Sequence, residues 1–329
     1  MKIVLCKEHG PPDRLVVEEV EPPHCDAWSV RIAVRAAGLN FPDLLIIRGK
    51  YQFQPPLPFA PGSEVAGIVT EVGSEVRGVN VGDRVLAMLG WNGFAEEVVA
   101  PGAACLAIPP EMDFDTAAGF SMTYGTSYHA LVQRARLAPG ETLLVLGASG
   151  GVGTAAIDIG RALGARVIAA SASAEKLARL TAHFGLEQVV QTGTGRPLKE
   201  LVGELTGGDG ANVIYDPVGG ELFEESLRAV AWEGRILVVG FTSGTIPAAK
   251  ANLLLLKGAS AVGVFWGAFA RRDPVTNARN FEQLFAWYRE GKLAPLLSHR
   301  FPLAQAALAL QTLERREVIG KAVLQVSPA

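Results

Sequence analysis

The run TLLVLGASGGVGTAAIDIGRALGARVIAAS, residues 142–171, decides the fold of this chain. TLLV has the short, continuous apolar character of a strand buried on both faces. After the glycines, Val152, Ala155, Ala156, Ile159, Ala162 and Leu163 recur at spacings of three, four and seven, marking one apolar helix face. Between them lies GASGGVG. The first N–H groups of a helix have no intrahelical partner and sit at its positive end, so a glycine-rich turn feeding a helix reads as a pyrophosphate site. Gly150 and Gly151 admit the ligand to the backbone and Gly153 lets the helix pack on the strand. Ser149 and Val152 complete the loop, and Ala148 stands where the usual dinucleotide fingerprint has its first glycine.

Outward from this run, strands and helices take turns to about residue 265: ARVIAAS, AEKLARLTAHFG, EQVVQ, LKELVGELTGG, NVIYDPVG, ELFEESLRAVAW, RILVVGF and AVGVF. Buried-type strands separated by amphipathic helices predict an α/β fold with a doubly wound parallel sheet. Residues 1 to about 120 differ. Short β-rich runs such as SVRIAVRAAG and EVAGIVTEVG alternate with turn material such as EPPHCD and QPPLPFAPG, predicting a mostly β domain.

Composition bounds the function. The 329 residues suggest about two domains, 49% of them are hydrophobic, and 30 basic against 33 acidic residues are spread without blocks. No basic stripe marks nucleic acid, and the longest uncharged apolar run, 258–270, is too short for a bilayer, so neither a nucleic-acid nor a membrane partner is expected. MKIVLCKEHG lacks the apolar stretch of a secretory signal, and Cys6, Cys25 and Cys105 form neither a metal spacing nor a disulfide framework. A cytoplasmic protein with a small-molecule partner is the expectation.

The end of the second strand reads the cofactor. NAD-binding sheets commonly place an acid there for the ribose 2′-hydroxyl; here the strand ends at Ser171, eighteen residues past Gly153, with no acid. Ser171, Ser173 and Lys176 can hydrogen-bond and neutralise a 2′-phosphate, which favours NADPH; alternatively the serines cap the next helix and Lys176 is solvated.

GASGGVG, together with AAGLNFPDLLIIRGKY, PFAPGSEVAGIVTEVG, YDPVGG and VVGFTSG, resembles the zinc-independent quinone oxidoreductase (zeta-crystallin-like) branch of the medium-chain dehydrogenase/reductase superfamily. The resemblance covers nearly the whole chain. It implies a GroES-like catalytic domain over 1–122, a Rossmann NADPH-binding domain over 123–265, a return to the catalytic domain over 266–329, and a homodimer joined through AVGVF at 261–265. Zinc alcohol dehydrogenases take catalytic ligands from a cysteine and a histidine where this chain has Asn40 in GLNFPD and Ser63 in GSE. The four-cysteine lobe is absent from LAMLGWNGFAEEVV at 86–99, so no metal is expected.

Without a Lewis acid to hold a developing alkoxide, electron-poor acceptors that delocalise the incoming charge make chemical sense: a quinone, or an activated alkene such as an enone or enoyl thioester. The resemblance places Asn40, Asp43 and Tyr51 near the nicotinamide as catalytic candidates, with Tyr51 as hydrogen-bond donor to the acceptor oxygen and Asn40 positioning it. Tyr51 packing as an aromatic lid, and Asp43 accepting backbone bonds in its turn, remain open. Glu64 is either a family acid that orients its neighbours or a partner for an arginine. Thr126 matches a threonine beside the nicotinamide ribose or is a helix cap.

Pro217, Val218, Gly240, Phe241, Phe265, Trp266 and Gly267 fall at the carboxyl ends of strands, where open α/β sheets bind ligands. Phe241 and Trp266 are also candidates for the substrate pocket, Trp266 alternatively for an interface. Lys321 resembles a basic position close to the 2′-phosphate, and Thr192 in VVQT stands where many relatives have tyrosine. Arg271 and Arg272 either meet an anionic substrate or are solvated. Three functions follow: NADPH-dependent hydride transfer to a quinone, double-bond reduction of alkenals, enones or enoyl thioesters, or a non-catalytic crystallin-like or RNA-binding role.

Overall fold

The computed structural model describes residues 1–326. It divides into two compact units, one of Met1–Met122 with the segment from Leu297, the other Thr123–Leu296. The first unit opens with a two-stranded antiparallel ribbon, β1 (Lys2–Leu5) and β2 (Val16–Glu19). Then come β3 (Ser29–Gly38), α1 (Phe41–Ile47), β4 (Glu64–Val72), β5 (Arg84–Met88), β6 (Glu97–Pro101), β7 (Cys105–Ala107) and α2 (Phe114–Ala118). Val30, Ile32 and Val34, on alternate positions of β3, face the same core as Val65, Val69, Val85 and Phe94, the period-two pattern of a sheet with one buried face.

In the second unit α3 (Ser121–Tyr128) enters from the boundary and runs into a π-helical stretch, His129–Arg134. The alternation follows: β8 (Thr142–Val145), α4 (Gly151–Ala162), β9 (Arg166–Ser171), α5 (Ala174–Phe184), β10 (Gln188–Gln191), α6 (Leu198–Thr206), β11 (Ala211–Asp216), α7 (Gly220–Ala229), β12 (Val230–Val238), α8 (Ala251–Lys257) and β13 (Ser260–Gly263). All six strands are parallel, in the order β10-β9-β8-β11-β12-β13. The direction of winding reverses between β8 and β11, which is where a doubly wound sheet opens a crevice at its strand ends. Helix α4 is buried beyond the single face its periodicity predicts, with every residue from Gly153 to Gly160 buried, because it lies against β8 and β9 and also against α5 and the π-helical stretch.

Two more helices, α9 (Trp266–Arg272) and α10 (Pro274–Arg289), stay in this unit. This corrects the expected return to the catalytic domain at 266, which falls instead at Leu297. The reason is packing: the Trp266 ring seats on Gly125, His129 stacks on Phe269 with centroids 4.0 Å apart, and the Gln133 amide donates to Asn280 Oδ1 at 2.9 Å. The chain then completes the first unit with β14 (Leu297–Pro302), α11 (Ala306–Glu314) and β15 (Lys321–Gln325). That seven-stranded sheet runs β14-β15-β3-β4-β5-β7, with β6 also on β3.

Candidate functional site

The phosphate loop is built as its sequence demands, with one shift of role. The left-handed turn falls on Gly147, at φ +54°, so the residue that needs glycine precedes Ala148. Ala148 is fully buried, and its N–H donates to Ala170 O at 3.0 Å, tying the loop to the end of β9. Alanine suffices there. Gly150 is the N-cap of α4 and offers no side-chain cap, and no described acceptor in the chain meets the N–H groups of Gly151, Val152 and Gly153. A methyl group at Gly153 would lie 2.5 Å from Gly147 O and 2.9 Å from the Ala148 backbone, so only glycine keeps helix and loop this close. Ser149, partly buried, stays on the loop between them.

The neighbouring strand ends knit onto the same place. Pro217 O accepts from Thr242 N and Val218 O from Ser243 N, both near 3.0 Å, joining the loops after β11 and β12. A methyl at Gly147 would meet Val218 Cγ2 at 2.9 Å, and one at Gly240 would face Pro217 O at 3.3 Å. The structure thus brings Gly147, Pro217, Val218, Gly240 and Phe241 together at the switch point, with Phe241 exposed. The organiser of the Pro217 turn is a residue that the sequence reading does not single out. Asp216 Oδ1 accepts from Val218 N at 2.7 Å and Gly219 N at 2.9 Å, and burial raises its carboxyl above the ordinary range. An aspartate opening a Pro-x-Gly-Gly turn is the signal that would have found it.

At the end of β9, Ser171 Oγ accepts from Ser173 N, and Ser173 caps α5 by accepting from Lys176 N at 3.2 Å. The capping alternative for Ser173 is therefore realised; its hydroxyl hydrogen is still free to donate elsewhere. Thr126 lies in the middle of α3, so it is no cap. Its neighbour Ser127 donates to Val152 O at 3.0 Å and pairs with the Tyr215 hydroxyl at 2.9 Å, bringing this helix against the phosphate loop.

Trp266 is 4% exposed, its indole N–H donates to Asn277 Oδ1 at 2.9 Å, and its ring packs on Gly125 and Phe281. That corrects its place as a wall for substrate or cofactor: it is part of the packing that holds α9 and α10. Phe265, just before it, is 51% exposed, and Gly267 follows in the first turn of α9.

Within the other unit a buried polar cluster sits where β3, β4, α1 and β15 meet. Glu64, fully buried at the start of β4, accepts at Oε2 from Ser121 Oγ (2.7 Å) and Met122 N (2.8 Å). At Oε1 it accepts from Asn40 Nδ2 (2.9 Å) and Lys321 Nζ (2.8 Å). Lys321 also donates to Leu39 O (2.6 Å) and Asn40 Oδ1 (2.8 Å). Its ammonium has three hydrogens and three acceptors. The assignment of Lys321 to a 2′-phosphate is accordingly corrected: the charge is consumed inside this cluster, and the partner of Glu64 is a lysine rather than an arginine.

Asp43 realises the turn-building alternative. It is fully buried, and its oxygens accept from Asn40 N (2.7 Å) and Gly62 N (3.3 Å). Burial pushes its carboxyl up to about 7 against the opposing pull of those bonds and of Lys321. Asn40 spends its amide on Glu64 and, at 3.4 Å, on Ser63 Oγ. Tyr51 differs: it is partly exposed, its ring meets Phe53 edge-on at 6.1 Å, and its hydroxyl has no partner among the described residues. Burial and the nearby Asp43 raise its phenol, so it stays protonated and able to donate.

The matching family descriptions are "zinc-binding dehydrogenase" over residues 151–285 and "alcohol dehydrogenase GroES-like domain" over 26–110. The donors at the expected metal position do not fit zinc: an amide and a hydroxyl bonded to each other, beside a carboxylate already paired with an ammonium. Among the described residues no group of three histidine, cysteine or acidic side chains could hold a metal, and no helix is long and apolar enough to cross a membrane. The chain is 42% identical to the quinone oxidoreductase-like protein 2 homolog of Nematostella vectensis, over 98% of this chain and 88% of that one. It is 40% identical to quinone oxidoreductase-like protein 2 of Bos taurus, over 99% and 92%. Among solved structures it is similar to the Pseudomonas syringae quinone oxidoreductase (30% identity, 99% of both chains, TM-score 0.91). It is also similar to Escherichia coli quinone oxidoreductase complexed with NADPH (28%, 99% and 100%, 0.89) and to the CurK enoyl reductase (25%, 99% of both, 0.89).

Proposed function

This chain belongs to the zinc-independent quinone oxidoreductase branch of the medium-chain dehydrogenase/reductase superfamily, and from that premise we propose that it is an NADPH-dependent reductase of quinones. The observation that carries the reading is the glycine-lined N-terminus of α4, whose first N–H groups meet no acceptor among the described residues and lie at the switch point of the sheet. NADPH, when bound, supplies a hydride from its nicotinamide. The protein's share is to hold the pyrophosphate on Gly150–Gly153, to neutralise the 2′-phosphate with Lys176 and the Ser171 and Ser173 hydroxyls, and to place Thr126 by the nicotinamide ribose. Tyr51 donates a hydrogen bond to the acceptor oxygen as charge develops there.

The similarity to an enoyl reductase favours one second reading, reduction of an activated carbon–carbon double bond, since that acceptor also spreads the incoming charge without a metal. Steady-state NADPH oxidation with 1,2-naphthoquinone, an enone and an enoyl-CoA separates the two. Turnover of the quinone far above both alkenes supports quinone reduction, and the reverse order replaces it with the second reading.

The protein acts as a homodimer in this proposal. Parallel-sheet strands are ordinarily covered, yet β13 is an edge with three of its four residues exposed. Leu255 and Trp232, near it, are 79% and 67% exposed. A second copy would bury them, and a Leu255→Asp, Leu256→Asp protein should sediment as a monomer. The proposed location is the cytoplasm, which the lack of a membrane-crossing helix among the described residues accommodates.

A further inference from the structure

Helix α4 carries a carboxylate that cofactor binding as described above does not use. Asp158, two turns below the phosphate loop, is fully buried, and among the described residues no cation forms an ion pair with it. Its Oδ2 accepts from the Tyr124 hydroxyl at 2.8 Å and from Ala294 N at 2.7 Å, while Oδ1 has no partner among the described residues. A carboxyl oxygen left without a partner in an apolar interior is costly, so this group is not explained by packing, which an aliphatic residue would do better.

Its two donors show what it holds. Tyr124 lies on α3, two residues before Thr126 and three before Ser127, whose hydroxyl already ties α3 to Val152 O in the first turn of α4. The Asp158–Tyr124 bond is a second tie between the same two helices, lower down. Ala294 lies in the segment after α10, and its carbonyl meets His183 Nε2 at 2.8 Å in the last turn of α5, the helix that begins with Ser173 and Lys176. One carboxylate thus connects the three helices α3, α4 and α5, which carry the candidate contacts to nicotinamide ribose, pyrophosphate and 2′-phosphate.

We propose that Asp158 is a positioning residue of the cofactor site, fixing the setting of α3 and α5 against α4 through Tyr124 and Ala294. This rests on the reading of the α4 N-terminus as a pyrophosphate site. Tyr124 keeps its proton, since burial and the adjacent carboxylate both raise its phenol, so it is the donor in this pair. Burial raises the Asp158 carboxyl above the ordinary range, against the opposing pull of the Tyr124 and Ala294 bonds and of Arg161 and His183.

The test compares Tyr124→Phe, Asp158→Asn and Asp158→Leu with the unaltered protein, measuring thermal melting and the dissociation constants of NADPH and NADH. Tyr124→Phe keeps the ring and removes the hydroxyl that donates to Asp158, and should weaken both cofactors about five- to tenfold while lowering the melting temperature only modestly, the fold being kept. Asp158→Asn retains an acceptor oxygen and should bind within about twofold of the original. Asp158→Leu should weaken both cofactors at least as much as Tyr124→Phe, and if it fails to fold, Tyr124→Phe still decides. The equal effect on both cofactors separates this role from 2′-phosphate recognition. Unchanged affinity in Tyr124→Phe, with the unaltered protein binding NADPH, overturns the positioning role and leaves the functional reading intact. An unaltered protein that binds no NADPH overturns both.

Discussion

Lys321 Nζ lies 2.8 Å from Glu64 Oε1 across 257 residues of chain, and the pair is sealed from solvent by its own neighbours. Removing one member of a buried pair leaves the other as an uncompensated charge, which costs about 3–5 kcal/mol. Lys321→Met should therefore lower the unfolding free energy by about that amount in urea titration, with Glu64→Gln added to it recovering part of the loss. The NADPH-to-NADH preference of any Lys321 variant that folds should match the original. A selective loss of NADPH affinity would restore the 2′-phosphate role.

Asp43 gives the first unit a pH dependence of definite sign. Its folded value of about 7 lies above the ~3.9 of an unfolded chain, so the stability linked to this carboxyl is full below about pH 4 and is lost as pH rises to 7. The loss amounts to up to about 4 kcal/mol. Urea unfolding of the original and of Asp43→Asn between pH 4 and 8 should show the original losing stability relative to the variant across that window. A constant difference, or one of opposite slope, contradicts the assignment.

Gly153→Ala drives a methyl to 2.5 Å from Gly147 O, a backbone atom that cannot step aside cheaply. The sheet beneath does not depend on that contact. The variant should keep its circular dichroism while its affinity for both cofactors falls by at least about tenfold, as befits displacement of a pyrophosphate loop. Equal affinity would remove the loop from the binding site.

Lys176→Ala should raise the Michaelis constant for NADPH by about tenfold, the scale of one charge-assisted contact, and leave that for NADH nearly unchanged. Equal effects on the two cofactors would show that Lys176 serves α5 rather than a 2′-phosphate.

The parts legible in the sequence are those whose physics is local. A strand, a glycine turn and a helix within 142–171 suffice to announce a parallel doubly wound sheet, and the strand order follows from winding on both sides of β8. Lys321 was not legible because its partners, Leu39, Asn40 and Glu64, are brought to it only by the pairing of β15 with β3 and of β3 with β4. Trp266 reads as a pocket wall from its place after β13, and only the missing side chain of Gly125 on another helix shows where its ring goes. The periodicity of α10 announces an apolar face without saying which unit it covers, so the boundary at Leu297 could not be read. Nothing local singles out Asp158, since its donors Tyr124 and Ala294 are 34 and 136 residues away.

Hydride transfer from NADPH without a metal is proposed for a protein whose Asn40 and Ser63 bond to each other where zinc ligands would stand. Its most direct test is the rate of NADPH oxidation by 1,2-naphthoquinone, measured on protein dialysed against EDTA and verified metal-free, with and without added zinc. Turnover should be undiminished by EDTA and unchanged by zinc. Activity that disappears on chelation and returns with zinc, or no NADPH oxidation in either state, would contradict it.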